Sequence, residues 1–325
     1  MPDRCVPEPQ TLVFLVVDGL SMMSLASAVE PLRSANRLVG REVYRWRLAS
    51  LGGDPVSASN GIPLPAEAVE PCLRQADYLF VCGGLRLRLP AERAHLSLLR
   101  QAARRGIPVG SLSTGTYLLA RAGLLDGYRC TIHWENRAAF EEEFPRAICT
   151  AKIYEIDRDR LTCSGGTAAM DLMLHLVAER HGPDLARRVA NQFHHERIRD
   201  ERDDQRGGAL RHLANLPTPV RAAVDLMQAH IDEPVPIARL AAQIGLSPRQ
   251  VERLFLRYLE TTPARYYLGL RIERARELLI YSDRPILDVA VATGFTSTSH
   301  FAQWFKHFHG VRPSELRGRS QPRRP

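Results

Sequence analysis

Hydrophobic and polar positions along the first two-thirds of the chain predict strands and helices in turn. Apolar runs of strand length lie at 11–17, 46–51, 78–82, 108–112 and 160–164. Apolar residues at helical spacing occupy 22–38, 91–105, 116–122 and the segment after 166 up to 177. Strands that alternate with helices favour a mostly parallel sheet covered by helices on both faces, so we expect an α/β fold here.

The last third of the chain has a different pattern, and it occurs twice. Ala241 and Gly245 share an Ala-x-x-x-Gly spacing with Ala290 and Gly294, and each pair is flanked by segments with helical hydrophobic periodicity. A small residue between two helices, a glycine turn and a second amphipathic helix are features of the helix-turn-helix. Two copies predict an all-α domain that contacts two successive major grooves of DNA.

The second helix of each copy is the one expected to enter the groove. Ser247-Pro248 begins it in the first copy, since serine is a good N-cap and proline suits the first helical position. The outward positions are Arg249, Gln250, Arg253 and Arg257 in the first copy, and Thr298, Ser299, His300, Gln303 and Lys306 in the second. Arginine can bind guanine and glutamine adenine bidentately, whereas serine, threonine and lysine mostly contact phosphates. The alternative is a plain solvated helix face, which the tandem repeat disfavours.

Charge supports this interpretation. The net charge is +8, and residues 216–325 hold 16 Arg and Lys against 10 Asp and Glu, while the first 215 residues hold 28 against 26. The positive excess therefore lies with the helix-turn-helix pair, where phosphate contacts are needed.

Several classes of protein are disfavoured by what the sequence lacks. It has no apolar run of about 18 residues, as a membrane helix would need, and its polar beginning lacks the apolar stretch of a signal peptide. We therefore expect a cytoplasmic protein. The six cysteines form no C-x-x-C pair, and His194-His195 has no spaced partner, so we interpret the histidines as a helix surface. Reduced thiols, no metal and no cofactor are expected.

One segment carries candidate chemistry. A predicted strand runs into Ser113-Thr114-Gly115 and then a helix, which is the layout of a nucleophile elbow at the carboxyl edge of a sheet. Together with His133 and Glu30, Ser113 would supply the residue types of a Ser/His/Glu catalytic triad. An amidase or esterase, with Ser113 as nucleophile and His133 as base, is therefore the alternative function.

The repeated pattern resembles a known family. Residues 219–318 resemble the DNA-binding domain of AraC/XylS-family transcription regulators in the runs LAAQIGLSPRQVERLF and DVAVATGFTSTSHFAQWFKHFHGVRPSELR. The resemblance implies two helix-turn-helix units joined by a long helix at 262–282. It places base contacts on Arg249, Arg253, Thr298, Ser299 and Gln303. Gln303 stands where the family usually has arginine, so we expect a different base preference at this position.

Residues 10–197 resemble the glutamine-amidotransferase-like domain of PfpI-type peptidases. The matching runs are DGLSMMSLASAVEPLRSANR, FVCGG, SLSTGTYLLARAGLLDGYRCTIHWENRAAFEEEFP and LTCSGGTAAMDLMLHLVAERHG. Chains with this domain followed by an AraC-type domain resemble the GlxA branch of regulators. The resemblance implies a flavodoxin-like, class I glutamine amidotransferase-like parallel-sheet sandwich. Because the enzymes carry cysteine where this chain has Ser113, we expect a binding domain with no catalytic residue.

The sequence thus predicts a DNA-binding transcription regulator. Its expected parts are a sensor domain at 10–197, a linker at 198–215 and a DNA-binding domain at 216–318. The resemblance implies a small nitrogen-containing effector, an arginine-like amino acid or a quaternary amine. The candidate ligand-binding residues are Ser113, Thr114, His133, Trp134, Glu135 and Glu30. Expected partners are promoter half-sites in double-stranded DNA and a second copy in a homodimer, with RNA polymerase as a further candidate. A constitutive regulator whose first domain only dimerises is the other alternative.

Overall fold

The computed structural model describes residues 8–84, 92–200, 203, 205, 216–282 and 284–320, apart from the side chains of 138, 281 and 318–320. The chain divides into two compact units, Met1–Arg206 and Gly207–Pro325. Part of the predicted linker, including 206–215, lies outside the described residues.

The first unit is built around a seven-stranded sheet. The described strands of this unit, which also include the two-stranded sheets β3-β4 and β8-β9, are β1 (Gln10–Val16), β2 (Tyr44–Ser50), β3 (Val56–Ser57), β4 (Pro63–Leu64), β5 (Glu67–Ala68), β6 (Tyr78–Cys82), β7 (Val109–Leu112), β8 (Arg129–Cys130), β9 (Ile148–Cys149), β10 (Tyr154–Asp157) and β11 (Arg160–Cys163). The large sheet has the order β10-β11-β7-β6-β1-β2-β5. Every pairing in it is parallel except that of β10 with β11.

Helices cover both faces of this sheet. They are α1 (Met22–Val39), α2 (Val69–Leu73), α3 (Glu92–Arg104), α4 (Thr116–Arg121), α5 (Arg137–Glu143), α6 (Ala168–His181) and α7 (Pro183–Gln192). Leu12 and Phe14 of β1 pack in the core formed with α1, α6 and α7, whereas Val13 and Leu15 pack in the core with α2, α3, α4 and α5. Because both faces are buried, the strand is apolar throughout instead of alternating, as parallel strands usually are. The predicted α/β fold is confirmed.

One detail of the first unit differs from the sequence-based expectations. His195 does not lie on a helix surface, because it follows α7 and its Nε2 atom is 2.8 Å from the carboxylate of buried Asp171. No disulfide joins the described cysteines, which are buried except for half-buried Cys149. None of the helices in the described ranges combines the length and apolar character needed to cross a membrane.

All secondary-structure elements in the described part of the second unit are helices. Its helices are α8 (Thr218–Ala229), α9 (Ile237–Gln243), α10 (Pro248–Leu259), α11 (Pro263–Tyr281), α12 (Ile286–Ala292), α13 (Thr298–His309) and α14 (Pro313–Ser320). Helices α9 and α10 form the first helix-turn-helix, α12 and α13 form the second, and the predicted long helix α11 joins them. Ala241, Val251 and Phe255 lie in the core of the first.

Candidate functional site

The elbow predicted at the end of β7 is present as a strained turn. Ser113 has φ of 58°, in the left-handed region, and lies in a 3-10 turn between β7 and α4. Its side chain is only 8% exposed. A Cβ atom at Gly165 would lie 2.8 Å from the Ser113 Cβ and 3.0 Å from the Ser24 Oγ, so only glycine fits beside the elbow. Strain of this kind is typical of functional sites.

Two residues that the sequence analysis did not single out hold the elbow in place. The Thr116 hydroxyl lies 3.2 Å from the Ser113 carbonyl oxygen and 2.9 Å from that of Thr131. Ser24 Oγ accepts a 2.8 Å hydrogen bond from the backbone N–H of Gly166. Thr116 therefore brings the elbow next to the segment that leads to His133. Short polar residues inside helices give no sequence signal for such a role.

The turn that follows Thr131 carries the other candidate ligand groups. His133 Nδ1 lies 3.7 Å from the Glu135 carboxylate, and the His133 and Trp134 rings are 5.6 Å apart. Burial lowers the pKa of His133, and the negative charge of Glu135 offsets part of that shift. The imidazole is therefore neutral near pH 7, and can donate one hydrogen bond and accept another. All three side chains are half-buried.

Two predicted ligand residues have other roles in the structure. The Thr114 hydroxyl donates a hydrogen bond to the Gly84 carbonyl oxygen, which fixes the end of β6 against the elbow. Glu30 pairs with Arg33 at 2.6 Å on a partly exposed face of α1. Six residues separate it from Ser24, about 9 Å along the helix axis. Thr114 thus lies in the elbow with its hydroxyl bonded to the backbone, and Glu30 faces Arg33, so a ligand contact by either residue stays a prediction.

The hydrolytic alternative needs a base beside the nucleophile. Within the described residues, no hydrogen bond joins the Ser113 hydroxyl to the His133 imidazole. The same described ranges contain no group of three or more metal-binding side chains. The arrangement offers a hydroxyl, a neutral imidazole, an indole and a carboxylate, which together suit binding of a small polar molecule.

The two helix-turn-helix units of the second unit correspond closely. Helices α9 and α12 each have seven residues, and α10 and α13 each have twelve. Ser247 and Ser297 cap the second helices, each accepting a hydrogen bond from a backbone N–H three residues later. Ser297 follows its turn glycine by three residues and Ser247 by two, so the second turn is one residue longer.

The outer faces of α10 and α13 are exposed as predicted. The exposed candidates are Arg249, Gln250, Arg253, Arg257, Thr298, Ser299, His300, Gln303 and Lys306. The structural correspondence pairs Arg249 with Ser299 and Arg253 with Gln303. Residues 249, 253 and 257 repeat every four positions and so share one helix face. The first helix-turn-helix therefore presents a row of arginines where the second presents the uncharged polar residues Ser299 and Gln303.

Two of these candidates have partners within their own helix. Gln250 Oε1 accepts hydrogen bonds from the Ser247 backbone N–H at 2.8 Å and from its hydroxyl at 2.9 Å, which completes a capping box. Bidentate recognition of adenine would need that oxygen, so Gln250 caps the helix in this structure, and its contact with a base stays a prediction. His300 Nε2 accepts from the Trp304 indole N–H at 2.8 Å, which leaves Nδ1 as its donor.

Helix α11 contacts the turn of the second helix-turn-helix and the segment that precedes the first. Arg271 donates to the carbonyl oxygens of Thr293 at 2.8 Å and Gly294 at 2.7 Å, and its guanidinium lies 4.2 Å from the Phe295 ring. Tyr267 donates a 2.6 Å hydrogen bond to the carbonyl oxygen of His230, which lies between α8 and α9. These contacts join α11 to the turn that precedes α13 and to the segment that precedes α9.

Comparisons with known proteins agree with this architecture. The model of the DJ-1/PfpI family matches residues 10–179, and that of a helix-turn-helix domain matches residues 240–319. The transcriptional regulator GbdR of Pseudomonas aeruginosa is 44% identical over 310 residues, covering 95% of this chain and 84% of GbdR. The regulator GlxA of Rhizobium meliloti is 36% identical over 312 residues, covering 96% of each chain.

A solved structure is also similar. An AraC-family transcriptional regulator from Pseudomonas putida is 36% identical, with a TM-score of 0.54, over 57% of this chain and all of that one. Similarity to transcriptional regulators thus extends over nearly the whole chain. The chain therefore belongs to the GlxA branch of AraC-type DNA-binding transcription regulators, with a DJ-1/PfpI-family domain ahead of the helix-turn-helix domain.

Proposed function

We propose that this regulator responds to a small nitrogen-containing metabolite bound in the first unit, between Ser113 and the turn from His133 to Glu135. The observation that carries the proposal is the shared Thr116 hydroxyl, which contacts the carbonyl oxygens of both Ser113 and Thr131. It brings the elbow and the start of the His133 segment together, so one small molecule can reach polar groups from both.

The side chains at this place favour a ligand with a positive nitrogen and a polar or carboxylate end. Glu135 supplies negative charge, and the Trp134 ring can attract a cation through its face. Neutral His133 does not repel a cation, and the Ser113 hydroxyl can donate to a carboxylate. An arginine-like amino acid or a quaternary amine such as betaine or carnitine meets these requirements.

Binding is favoured over hydrolysis by the chemistry of the elbow. A serine hydroxyl is a weak nucleophile unless a general base accepts its proton. Ser113 and His133 make no hydrogen bond to one another, and the relatives GbdR and GlxA are named as transcriptional regulators. The site thus acts as a sensor, with no catalytic residue.

We further propose that the protein binds repeated promoter half-sites as a homodimer, with RNA polymerase as a further partner. Each second unit contacts the major groove through α10 and α13. An effector can change this binding only if it binds two states of the protein with different affinity. The sensor and the DNA-binding helices must therefore be energetically linked.

A thermal-shift panel on the full chain tests the effector proposal. The panel contains arginine and other amino acids, betaine, carnitine, choline and polyamines. A compound at 100 times its Kd stabilises the state that binds it by about 2.7 kcal/mol, so we expect one class to raise the melting temperature. We expect Glu135→Gln and His133→Ala to abolish that shift.

The control is Glu42→Gln, which makes the same charge change in an exposed pair with Arg45 and is expected to keep the full shift. A shift that survives in Ser113→Ala, His133→Ala and Glu135→Gln would place the ligand elsewhere. A panel with no response would contradict a nitrogen-containing effector and favour the constitutive alternative.

A further inference from the structure

The described residues that follow α7 lie against the first unit without regular secondary structure. We name residues 194–200, 203 and 205 the strap. Its apolar residue Ile198 packs against the core beneath α6 and α7. Its polar residues make hydrogen bonds at two places, whereas a plain linker makes few. The strap is therefore a docked part of the first unit.

The first anchor of the strap is a buried carboxylate. Asp171 is 0% exposed and accepts hydrogen bonds from Arg199 through its backbone N–H at 2.8 Å and its guanidinium at 2.6 Å and 3.0 Å. His195 contacts the same carboxylate, and Arg199 also donates to the Thr167 hydroxyl at 2.8 Å. A buried charge with this many partners is held firmly.

The second anchor is the side-chain amide of Gln205. Its Nε2 donates toward the Thr131 hydroxyl at 2.9 Å, the Ile132 carbonyl oxygen at 2.8 Å and the Lys152 carbonyl oxygen at 3.0 Å. Its backbone N–H donates to the Ala151 carbonyl oxygen at 2.9 Å. One amide group thus joins the strap to two separate segments.

Both anchors lie beside the candidate ligand site. Thr167 directly follows the Gly165-Gly166 turn that packs against Ser113 and Ser24. Ile132 directly precedes His133. The strap therefore bonds to the two walls of the site, the elbow wall through Arg199 and the His133 wall through Gln205.

We infer that the strap couples ligand occupancy in the first unit to DNA binding by the second, with Gln205 as a positioning residue. The inference rests on the proposed function, since it assigns the regulation of the same site. The first compact unit ends at Arg206, directly after Gln205. The docked strap consequently fixes the point from which the chain leaves for the DNA-binding unit.

The sign of the coupling follows from the geometry. A ligand that contacts both Ser113 and His133 stabilises the arrangement of walls to which the strap is bonded. Ligand binding and strap docking therefore favour each other, and by linkage the effect is mutual. A fixed starting point also restricts the DNA-binding unit before it meets DNA, and a preorganised partner loses less freedom on binding. Release of the strap lowers affinity for DNA.

The test uses Gln205→Glu in the full chain, which sets a carboxylate against three oxygens. We expect faster hydrogen–deuterium exchange in peptides covering 129–135 and 150–155. Affinity for a duplex selected from a random pool by the wild-type protein should fall by about 5-fold or more, the lower end of ordinary allosteric coupling. Gln205→Ala removes the donor without adding charge and should act in the same direction.

Gln192→Glu is the matched control, because it makes the same change at an exposed residue that ends α7. It should leave both exchange and DNA affinity unchanged. Faster exchange in the Gln205 variants with wild-type DNA affinity would overturn the coupling. Unchanged exchange would show that Gln205 does not hold the strap, which overturns it as well. If Gln205→Glu fails to fold, as judged by circular dichroism, Gln205→Ala decides.

These measurements need no effector. Loss of DNA affinity in the Gln205 variants, together with a ligand panel that gives no response, would contradict the proposed effector and keep the strap as the coupling element. A responding ligand together with unchanged DNA affinity in both variants would support the effector site and contradict coupling through the strap.

Discussion

Replacing Gly294 by alanine should destabilise the second helix-turn-helix far more than the same change at Gly245 destabilises the first. The two glycines occupy corresponding turns and have nearly the same φ, +73° and +70°. Alanine in this left-handed conformation costs about 1–2 kcal/mol at either position. Conformation alone therefore predicts equal effects.

The surroundings of the two glycines are different. A Cβ atom at Gly294 would lie 2.6 Å from two ring carbons of Pro234 and 2.9 Å from the Ile231 carbonyl oxygen, whereas at Gly245 nothing lies within 4 Å. Forcing a methyl group into such a packed place adds about 1–3 kcal/mol. It must also displace the turn that Arg271 holds through the Gly294 carbonyl oxygen.

Hydrogen exchange of the full chain in increasing urea measures this difference. The free energy of opening for peptides in 286–309 should fall in Gly294→Ala by more than that for peptides in 237–259 falls in Gly245→Ala. Gly294→Ala should also bind DNA more weakly, since α13 no longer lies where α11 fixed it. Equal losses of opening free energy at the two positions would mean that the contact with Pro234 does not contribute to the destabilisation.

The sequence predicted the fold well because its signals are local or periodic. β1 is apolar throughout since both sheet faces are covered, and the Ala-x-x-x-Gly repeat reports close helix contact at Ala241 and Ala290. The short strand pair β3–β4 and the edge strand β10 carry too few residues for a period to show. The strap was missed because its bonds join distant residues such as Asp171 and Arg199, and no sequence spacing encodes them.

The candidate site was predicted less completely. Ser113 was found because an elbow needs a strand, a turn and a helix in order, but its neighbours Ser24 and Thr116 come from packing. A ligand contact by Glu30 stays a prediction, because the sequence does not tell which way a carboxylate on a helix faces, and in the structure Glu30 pairs with Arg33. The capping role of Gln250 did have a signal, since Ser-x-x-Gln at a helix start is a capping box.

Arg253→Ala should weaken binding to a selected DNA site by about 1–3 kcal/mol, or about 5–150-fold in Kd. Arg253 is exposed on the same face of α10 as Arg249, and the Gln250 side-chain oxygen that a bidentate contact with adenine would need caps the helix. The residue that corresponds to Arg253 in the second helix-turn-helix is Gln303. The first helix-turn-helix thus depends on arginine for any bidentate contact with guanine.

Two measurements separate base contact from simple charge loss. Selection from a random DNA pool should show that Arg253→Ala relaxes preference at one base position, whereas loss of a phosphate contact would weaken all sequences alike and lower the salt dependence by about one unit. Arg187→Ala removes the same charge from an exposed residue of the first unit, paired with Asp184, and should change neither affinity nor preference. Weaker binding without a relaxed position in Arg253→Ala would assign this arginine to the DNA backbone. Sequence reading by the first helix-turn-helix would then fall to Arg249, which lies in the first turn of α10.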